Sequence, residues 1–161
     1  MKKYFILVFL VVFGTPALAQ VPVTVIPAEE QAAWLETGTA EDRADKRLVY
    51  DFWRKVLVAR DMDAAMEYMH EDYIQHNPNI PTGRAPFVQV FGRMGSRPEL
   101  DHIEDLVAIT ADGGYVTMAF QRVLDNPNVE GQTYTTTWFD MFRVENGMIV
   151  EHWDYGTVGP R

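Results

Sequence analysis

The feature that most constrains the fold is a pair of apolar segments near the carboxyl terminus, joined by Glu-Asn-Gly. Residues 134–144 read Tyr-Thr-Thr-Thr-Trp-Phe-Asp-Met-Phe-Arg-Val, and residues 148–155 read Met-Ile-Val-Glu-His-Trp-Asp-Tyr. β-Branched and aromatic residues on both sides of an Asn-Gly pair predict an antiparallel hairpin. Its ionisable side chains include Asp140, His152 and Asp154. Burial and neighbouring charge move the pKa values of such groups toward neutrality, so we expect acid/base chemistry here.

The loop between the two strands decides which residues face each other. A two-residue turn at Asn146 and Gly147 would set Asp140 opposite Trp153 and turn His152 to the other face. A three-residue loop with a left-handed Gly147 bulge would set Asp140 opposite His152, and we favour this loop. It predicts one face with Trp138, Asp140, Phe142, Val150, His152 and Asp154, and another with Arg143 and Glu151. A purely structural polar pair is the alternative role for Asp140 and His152.

The amino terminus has the pattern of an export signal. Two lysines precede an apolar run over 4–13, and Ala17-Leu18-Ala19 matches a signal-peptidase site. We expect 1–19 to be removed, so that the mature chain begins at Gln20 in the periplasm or outside the cell. An uncleaved membrane anchor is the alternative. Because the chain has no cysteine, it forms no disulfide and is not a lipoprotein.

Charge and length limit the partners and the domain count. Removal of the signal segment takes away two lysines, which leaves 12 basic against 23 acidic residues and a net charge of −11. An acidic surface argues against nucleic acid and anionic membranes as partners. About 140 residues form one ordinary domain. We assign 20–43 to a leader and a short helix, and 44–161 to the domain.

Helices come first along the chain and strands follow. The apolar spacing predicts helices over Ala28–Thr37, Ala44–Arg60, Ala64–His70 and from near Thr82 to Met94. It predicts strands over Leu100–Thr110 and Tyr115–Leu124, and then the final hairpin. The order indicates an α+β domain with an antiparallel meander. A curved sheet wrapped around the long helix 44–60 would leave a pocket at its open end, where ligands bind by default.

Three motifs carry a resemblance to a known family. They are Tyr-Ile-Gln-His-Asn-Pro at 73–78, Gly-Arg at 83–84, and the hairpin segment 140–154. Over Arg47–Tyr155 the chain resembles the SnoaL-like branch of the nuclear transport factor 2 superfamily, whose fold is also called cystatin-like. The resemblance implies a cone of curved antiparallel sheet closed by helices, and usually a homodimer. Its polyketide cyclases catalyse an intramolecular aldol condensation without a cofactor, and their acid/base aspartate matches Asp140.

The chain also departs from its relatives. Close relatives often carry histidines in the middle strand, where this chain has Ala119 and Gln121. The base and the oxyanion donor of the related ketosteroid isomerases match Asn77 and Trp53, which disfavours steroid isomerisation. Limonene epoxide hydrolases end in a similar motif that aligns Asp154 with a water-activating acid, but the rest of their site is not found.

Further residues are candidates for contact with a ligand. His76 and Asn77 precede Pro78 where a strand leaves the sheet, so they can face the pocket mouth or simply bond the local turn. Trp53, Trp138 and Phe142 are the predicted apolar contacts. A metal site of His76, His152 and Asp140 has no supporting ligand spacing, and we expect neither a metal nor a cofactor.

These residues predict a mechanism that requires no cofactor. Asp140 would remove or return a proton next to a carbonyl, and His152 would stabilise the enolate or relay the proton. Asp154 would orient His152 or bind water. The partner would be a small apolar or carbonyl-containing molecule. The alternatives are a non-catalytic ligand-binding protein and a dimeric interaction module of the same fold.

Overall fold

The computed structural model describes residues 21–158, so the predicted signal segment 1–19 lies outside the described residues. The helices are α1 (Ala28–Leu35), α2 (Ala40–Phe52), a π-helix (Trp53–Val58), α3 (Ala65–Tyr68) and α4 (Arg84–Gly92). The strands are β1 (Met69–Gln75), β2 (Leu106–Asp112), β3 (Tyr115–Asp125), β4 (Thr133–Glu145) and β5 (Met148–Asp154). None of the helices within 21–158 is long and apolar enough to span a membrane.

The strands form one five-stranded sheet in the order β1-β5-β4-β3-β2. Strands β2 to β5 form the predicted antiparallel meander. Strand β1 joins the sheet beside β5 and runs parallel to it. Because one face of the sheet packs against the helices, the prediction of an α+β fold with a curved sheet around the amino-terminal helices is confirmed.

The long helix fills the concave face of the sheet. Thr39 begins α2 with a capping box, in which its hydroxyl accepts from the Asp42 amide and the Asp42 carboxylate accepts from the Thr39 amide. The apolar stripe packs as predicted, with Phe52 against Phe142 at 5.8 Å between ring centroids. The helix then widens into the π-helix, where Trp53 stacks on Phe120 at 4.2 Å. π-Helical turns often mark functional sites, and this one lies at the cavity described below.

The predicted start of the long helix at Ala44 is wrong, because the helix begins at Ala40 after the Thr39 cap. Two further predicted element boundaries are wrong for tertiary reasons. The helix predicted over Ala64–His70 ends at Tyr68, because Met69 already pairs with Ile149 of β5. The strand predicted from Leu100 begins only at Leu106. The preceding residues are held differently: the Gln31 side chain accepts from the Ile103 amide at 3.0 Å and donates to its carbonyl at 2.8 Å. Tertiary contacts therefore override the local patterns at both places.

The hairpin register differs from the favoured prediction. Asn146 and Gly147 have φ values of 51° and 73°, which make the two-residue turn, so Glu145 pairs with Met148. A bulge at Val150 then shifts the register, so that Asp140 lies opposite Asp154 and Phe142 opposite His152. Neither predicted register is correct.

The bulge also moves Val150 to the face opposite the predicted one, whereas Glu151, Asp140 and His152 lie on the faces that were predicted. Val150 lines a surface depression with Arg143, so it lies on the outer face and not on the predicted inner one. Glu151 remains on the outer face as predicted, and it accepts from the Arg143 Nε at 2.7 Å. Asp140 and His152 share the inner face after all, as diagonal neighbours.

The leader is tied to the sheet before α1 begins. The Val23 amide donates to the Thr135 hydroxyl at 2.9 Å, and the Gln121 side chain donates to the Val23 carbonyl. The Ile26 amide donates to the Leu106 carbonyl at 2.7 Å, and Ile26 itself is buried. The leader is thus part of the packed unit.

Candidate functional site

A cavity of about 270 Å³ lies between the helices and the inner face of the sheet. Its apolar walls are Trp53, Leu57, Ile80, Phe87, Phe91 and Trp138. Its polar side chains are Gln75, Arg122, Asp140, His152 and Asp154. A few convergent polar groups in an apolar cavity are the usual composition of a ligand site. A larger depression of about 610 Å³ on the outer face lacks Asp140 and His152, so the inner cavity is the candidate site.

Asp140 and His152 form a buried pair at the base of the cavity. The His152 Nε2 lies 2.9 Å from the Asp140 Oδ1, and the two residues are 6% and 3% exposed. The imidazole stacks on Phe142, with 4.3 Å between the ring centroids and 7° between the planes. The stacking on Phe142 therefore fixes the plane of the imidazole ring, and the hydrogen bond to Asp140 fixes the rotation of the ring within that plane. The predicted contact between Asp140 and His152 exists, although the pairing that was predicted to produce it does not.

Strand β1 supplies the second partner of the imidazole. The Gln75 Nε2 lies 3.1 Å from the His152 Nδ1 and donates to the Tyr73 hydroxyl at 3.0 Å. The Gln75 Oε1 accepts from the backbone amide of Asn77 at 2.9 Å. Sequence reasoning missed Gln75 and Tyr73. The signal that could have found them is the period of two in residues 73, 75 and 77, which places all three on the same face of a strand.

Asp154 is held from the same segment. The Asn77 Nδ2 donates to the Asp154 Oδ2 at 2.9 Å. The Asp154 Oδ1 is buried and has no hydrogen-bond partner within the described part of the chain. The same is true of the Asp140 Oδ2. Each carboxylate thus has one oxygen that accepts a hydrogen bond and one buried oxygen without a partner in this part of the chain, and such unpartnered buried atoms are uncommon in folded proteins.

Burial sets the proton affinity of the site. It raises the pKa of Asp140 above its ordinary value, against the opposing effect of the hydrogen bond from His152. The nearby Asp154 charge raises the pKa of Asp140 further, and Arg122 lowers it. Burial also raises the pKa of the Tyr73 hydroxyl, which therefore stays protonated at neutral pH. A carboxylate whose pKa is raised is a stronger base than an exposed one.

Arg122 is a cavity residue that sequence reasoning missed. Its guanidinium lies 5.8 Å from the ring centroid of Trp138, and it donates to Asp105 at 2.8 Å. Met118, directly opposite Asp140 on β4, and Arg122 share the inner face of β3. The positions that were compared with the histidines of relatives, Ala119 and Gln121, alternate with this face and do not line the cavity. The presence of Ala119 and Gln121, instead of histidines, therefore does not bear on which residues exchange protons in the cavity.

The other predicted site residues divide into two groups. Trp53 and Trp138 line the cavity, and Phe142 and Asn77 hold His152 and Asp154 from behind. His76 is not a lining residue. Its ring stacks on Trp153 at 4.6 Å, and its Nε2 lies 3.0 Å from Glu151 of the outer face. The geometry gives no support to the prediction that His76 contacts a ligand.

Three side chains could in principle share a cation. Within 21–158, ligand atoms of Asp140, His152 and Asp154 lie within 4.8 Å of one another. His76 is not among them, so the considered set of His76, His152 and Asp140 is not assembled. Both nitrogens of His152 already have protein partners, and a metal ligand needs a nitrogen lone pair that is free. The donor set therefore fits a metal poorly as it stands.

The fold and the cavity define a small-molecule pocket protein, and the family follows from the comparisons. A model of the SnoaL-like domain matches residues 49–152. Because this match covers more than half of the chain, the protein belongs to the SnoaL-like family, which agrees with the resemblance found in the sequence. Among curated proteins, no sequence matches the chain.

Solved structures share the fold. An LEH-like epoxide hydrolase from M. tuberculosis is 21% identical, with a TM-score of 0.53 over 74% of this chain and 83% of the other. A candidate SnoaL-like polyketide cyclase from Jannaschia sp. CCS1 is 14% identical, with a TM-score of 0.54 over 74% and 90%. A candidate polyketide cyclase from Xanthomonas campestris pv. campestris is 24% identical, with a TM-score of 0.50 over 73% and 93%. At these identities the likeness concerns the fold alone.

Proposed function

We propose that the protein is an acid/base enzyme that acts on a small apolar carbonyl compound and needs no cofactor. The observation that carries this proposal is the Asp140 Oδ2, a buried carboxylate oxygen without a hydrogen-bond partner within residues 21–158. Asp140 lines the cavity, and its Oδ1 lies 2.9 Å from the His152 Nε2. A carboxylate that is oriented, desolvated and free of a hydrogen bond on one oxygen is suited to remove a proton from a bound substrate.

The proposed step is proton removal next to the substrate carbonyl. The Asp140 Oδ2 takes the proton, and the C–H electron pair moves into the enolate. Arg122, the cation of the same cavity, stabilises the negative charge on the enolate oxygen. The enolate carbon is then reprotonated by Asp140 at another position, or it attacks a second carbonyl whose alkoxide takes the proton. Both outcomes return Asp140 to its starting state, as isomerisation or as aldol condensation.

His152 and Asp154 receive narrower roles than the sequence suggested. Because both His152 nitrogens are bonded to the protein, His152 orients Asp140 and does not contact the enolate. Asp154, held by Asn77, offers its buried Oδ1 to a substrate hydroxyl or to water. The cavity of about 270 Å³ is just below the usual range of roughly 300–1,000 Å³, so the substrate should be small.

The test does not require the natural product to be known. Small ketones and diketones that shift the melting temperature are incubated with the mature protein in D₂O, and NMR follows the loss of the α-proton. The wild-type protein should catalyse this exchange. Asp140→Asn keeps the size of the side chain but removes the base, so the rate should fall on the order of a hundredfold or more.

Two further results complete this test. Asp72→Asn, which changes an exposed carboxylate of β1, should exchange at the wild-type rate. Exchange that survives in Asp140→Asn would refute the catalytic role of Asp140. Binding of a ligand without exchange by the wild-type protein would favour the non-catalytic pocket protein, because the apolar walls would then serve affinity alone.

We propose that the protein is exported and that residues 1–19 are removed. The support is the sequence pattern of two lysines, an apolar run and Ala17-Leu18-Ala19. Mass spectrometry of the periplasmic fraction and the medium should find a chain that begins at Gln20. Recovery of intact Met1 only in membranes would favour the uncleaved anchor instead.

We also propose that the protein is a homodimer that pairs through the outer face of the sheet. Phe139 and Tyr155 of this face are 57% and 67% exposed beside the depression of about 610 Å³. Adjoining apolar side chains of this kind often mark an interface. Light scattering after size-exclusion chromatography should report a dimer for the wild-type protein and a monomer for Phe139→Glu. A wild-type monomer would refute the proposal.

A further inference from the structure

We propose that Gln75 is a positioning residue that fixes which nitrogen of His152 carries the proton. Its side chain lies between the Asn77 amide, the Tyr73 hydroxyl and the His152 ring. Only the catalytic consequence of this role rests on the proposed function. The role itself is a property of the hydrogen bonds on strands β1 and β5.

The orientation of the Gln75 amide group follows from a backbone donor. The backbone N–H of Asn77 can only donate, and its nitrogen lies 2.9 Å from the Gln75 Oε1. The reversed orientation would set an NH₂ group against this N–H. The Gln75 Nε2 therefore faces His152 and Tyr73, and its two hydrogens match the two partners at 3.1 Å and 3.0 Å.

The orientation of the amide then determines the tautomer of the imidazole. Because the Gln75 Nε2 donates, the His152 Nδ1 must accept and carries no hydrogen. A neutral imidazole has one N–H, which must then be at Nε2. The Nε2–H points at the Asp140 Oδ1, 2.9 Å away. The chain of donors therefore runs from Asn77 through Gln75 and His152 to Asp140.

This direction has a consequence for Asp140. An Nε2–H needs an acceptor, so the Oδ1 oxygen of Asp140 is not the one that carries a proton. A proton on Asp140 must be at Oδ2, the oxygen that has no hydrogen-bond partner within residues 21–158. Gln75 thus assigns the exchangeable proton of Asp140 to Oδ2, the oxygen that acts as the base in the proposed function. The opposite tautomer would set the Nδ1–H of His152 against the NH₂ group of Gln75.

The test is a measurement of the His152 tautomer by NMR, without substrate. Two-bond ¹H–¹⁵N correlations on ¹⁵N-histidine-labelled protein at neutral pH distinguish an Nε2–H from an Nδ1–H ring. His152→Gln identifies the His152 signals by their loss. The wild-type protein should show His152 with its hydrogen at Nε2. His102, whose Nδ1 lies 2.8 Å from the Asp101 Oδ1 on the surface, serves as a reference in each spectrum.

The matched variants are Gln75→Glu and Gln75→Met. A glutamate can still accept from the Asn77 amide, but it has no hydrogen for the His152 Nδ1, so Nδ1 should become protonated. Methionine removes the donor without supplying an acceptor, and His152 should then show both tautomers or exchange between them. The amide spectrum of each variant establishes that it is folded. The His102 signals should not change in either variant.

Two results would overturn the proposal. One is a wild-type His152 with its hydrogen at Nδ1. The other is a folded Gln75→Glu protein that keeps Nδ1 unprotonated, since a purely structural Gln75 would alter stability and leave the tautomer alone. Neither result depends on turnover, so failure of the deuterium exchange test would leave this inference intact. Conversely, this inference can fail while Asp140 remains the base.

Discussion

Two buried ionisable groups of this protein, Lys46 and Asp140, differ in how completely their hydrogen bonds are satisfied. Lys46 of α2 is 1% exposed, and its Nζ donates to the Trp34 carbonyl at 2.5 Å, the Thr37 carbonyl at 2.9 Å and the Thr37 hydroxyl at 2.6 Å. Asp140 is 3% exposed, and among the described residues 21–158 only its Oδ1 has a hydrogen-bond partner. All three hydrogens of the Lys46 ammonium group have an acceptor, whereas the Asp140 Oδ2 has no donor in the described part of the chain.

The difference separates a structural charge from a candidate functional one. Burial lowers the pKa of Lys46 and raises the pKa of Asp140, so each group is shifted toward its neutral form. The two carbonyls around Lys46 belong to Trp34, in the last turn of α1, and to Thr37, just after it, so the ammonium group caps the end of that helix. Asp140, in contrast, lines the cavity, and its Oδ2 has no hydrogen-bond partner within residues 21–158. We infer that the fold tolerates this buried oxygen because a ligand uses it.

The largest stability effect should come from Lys46→Met. This change keeps the buried stem but removes the donor of three hydrogen bonds, so the free energy of unfolding should fall by about 2–4 kcal/mol. The melting temperature should fall by roughly 10 °C. Arg47→Met on the same helix is the control. Arg47 pairs with Glu36 on the surface, and loss of such a pair costs about 0–1 kcal/mol. Equal losses in the two variants would remove the contrast between Lys46 and an exposed charge.

A smaller effect is expected when Asp154 loses its donor. A Cβ added at Gly156 would lie 2.6 Å from the Asn77 Oδ1, so Gly156→Ala must displace the Asn77 side chain from Asp154. The protein should lose about 1–2 kcal/mol of stability, because Asp154 would then have no partner on either oxygen. Denaturant titration measures the loss. Gly92→Ala, where the new Cβ would make an ordinary 3.6 Å contact with Met62, should cost nothing measurable. An unchanged stability for Gly156→Ala would show that Asn77 contributes little to holding Asp154.

The smallest effect has the opposite sign. The pKa of Asp140 is raised in the folded state, so wild-type stability is highest where the group is protonated and declines as the pH rises through the folded pKa. Asp140→Asn does not titrate and keeps an acceptor for His152. It should be more stable than the wild type by about 1 kcal/mol at neutral pH.

The pH dependence of this gain provides the check. The difference between the two proteins should shrink as the pH falls toward about 4, the ordinary value for an aspartate. Urea titrations over a pH series measure it. A variant that is clearly less stable at neutral pH would make Asp140 a structural partner of His152, like Lys46 for its carbonyls.

Sequence reasoning reached the composition of the site more easily than its geometry. Asp140, His152 and Trp138 were found because alternation on a strand is a local pattern. Gln75 and Arg122 were missed, because each acts on the site from a strand other than the one that carries the motif. His76 was selected for its position beside Pro78, but its ring lies on the outer face against Trp153. Alternation along a strand predicts which residues share a face of the sheet. Only the pairing with the neighbouring strands decides what those residues contact.

By itself the sequence determined the α+β order of the elements, the apolar stripe of α2 and the hairpin at Asn146 and Gly147. These features depend on residues that are close in the chain, so their spacing is enough to predict them. Only the tertiary structure decided the register beyond the turn, because the bulge at Val150 is an irregularity in pairing between strands. It also decided the parallel placement of β1 beside β5, which brings Gln75 to His152 across 77 residues of chain. The proton affinity of the site depends on burial and on that long-range contact, and neither is encoded in any short segment.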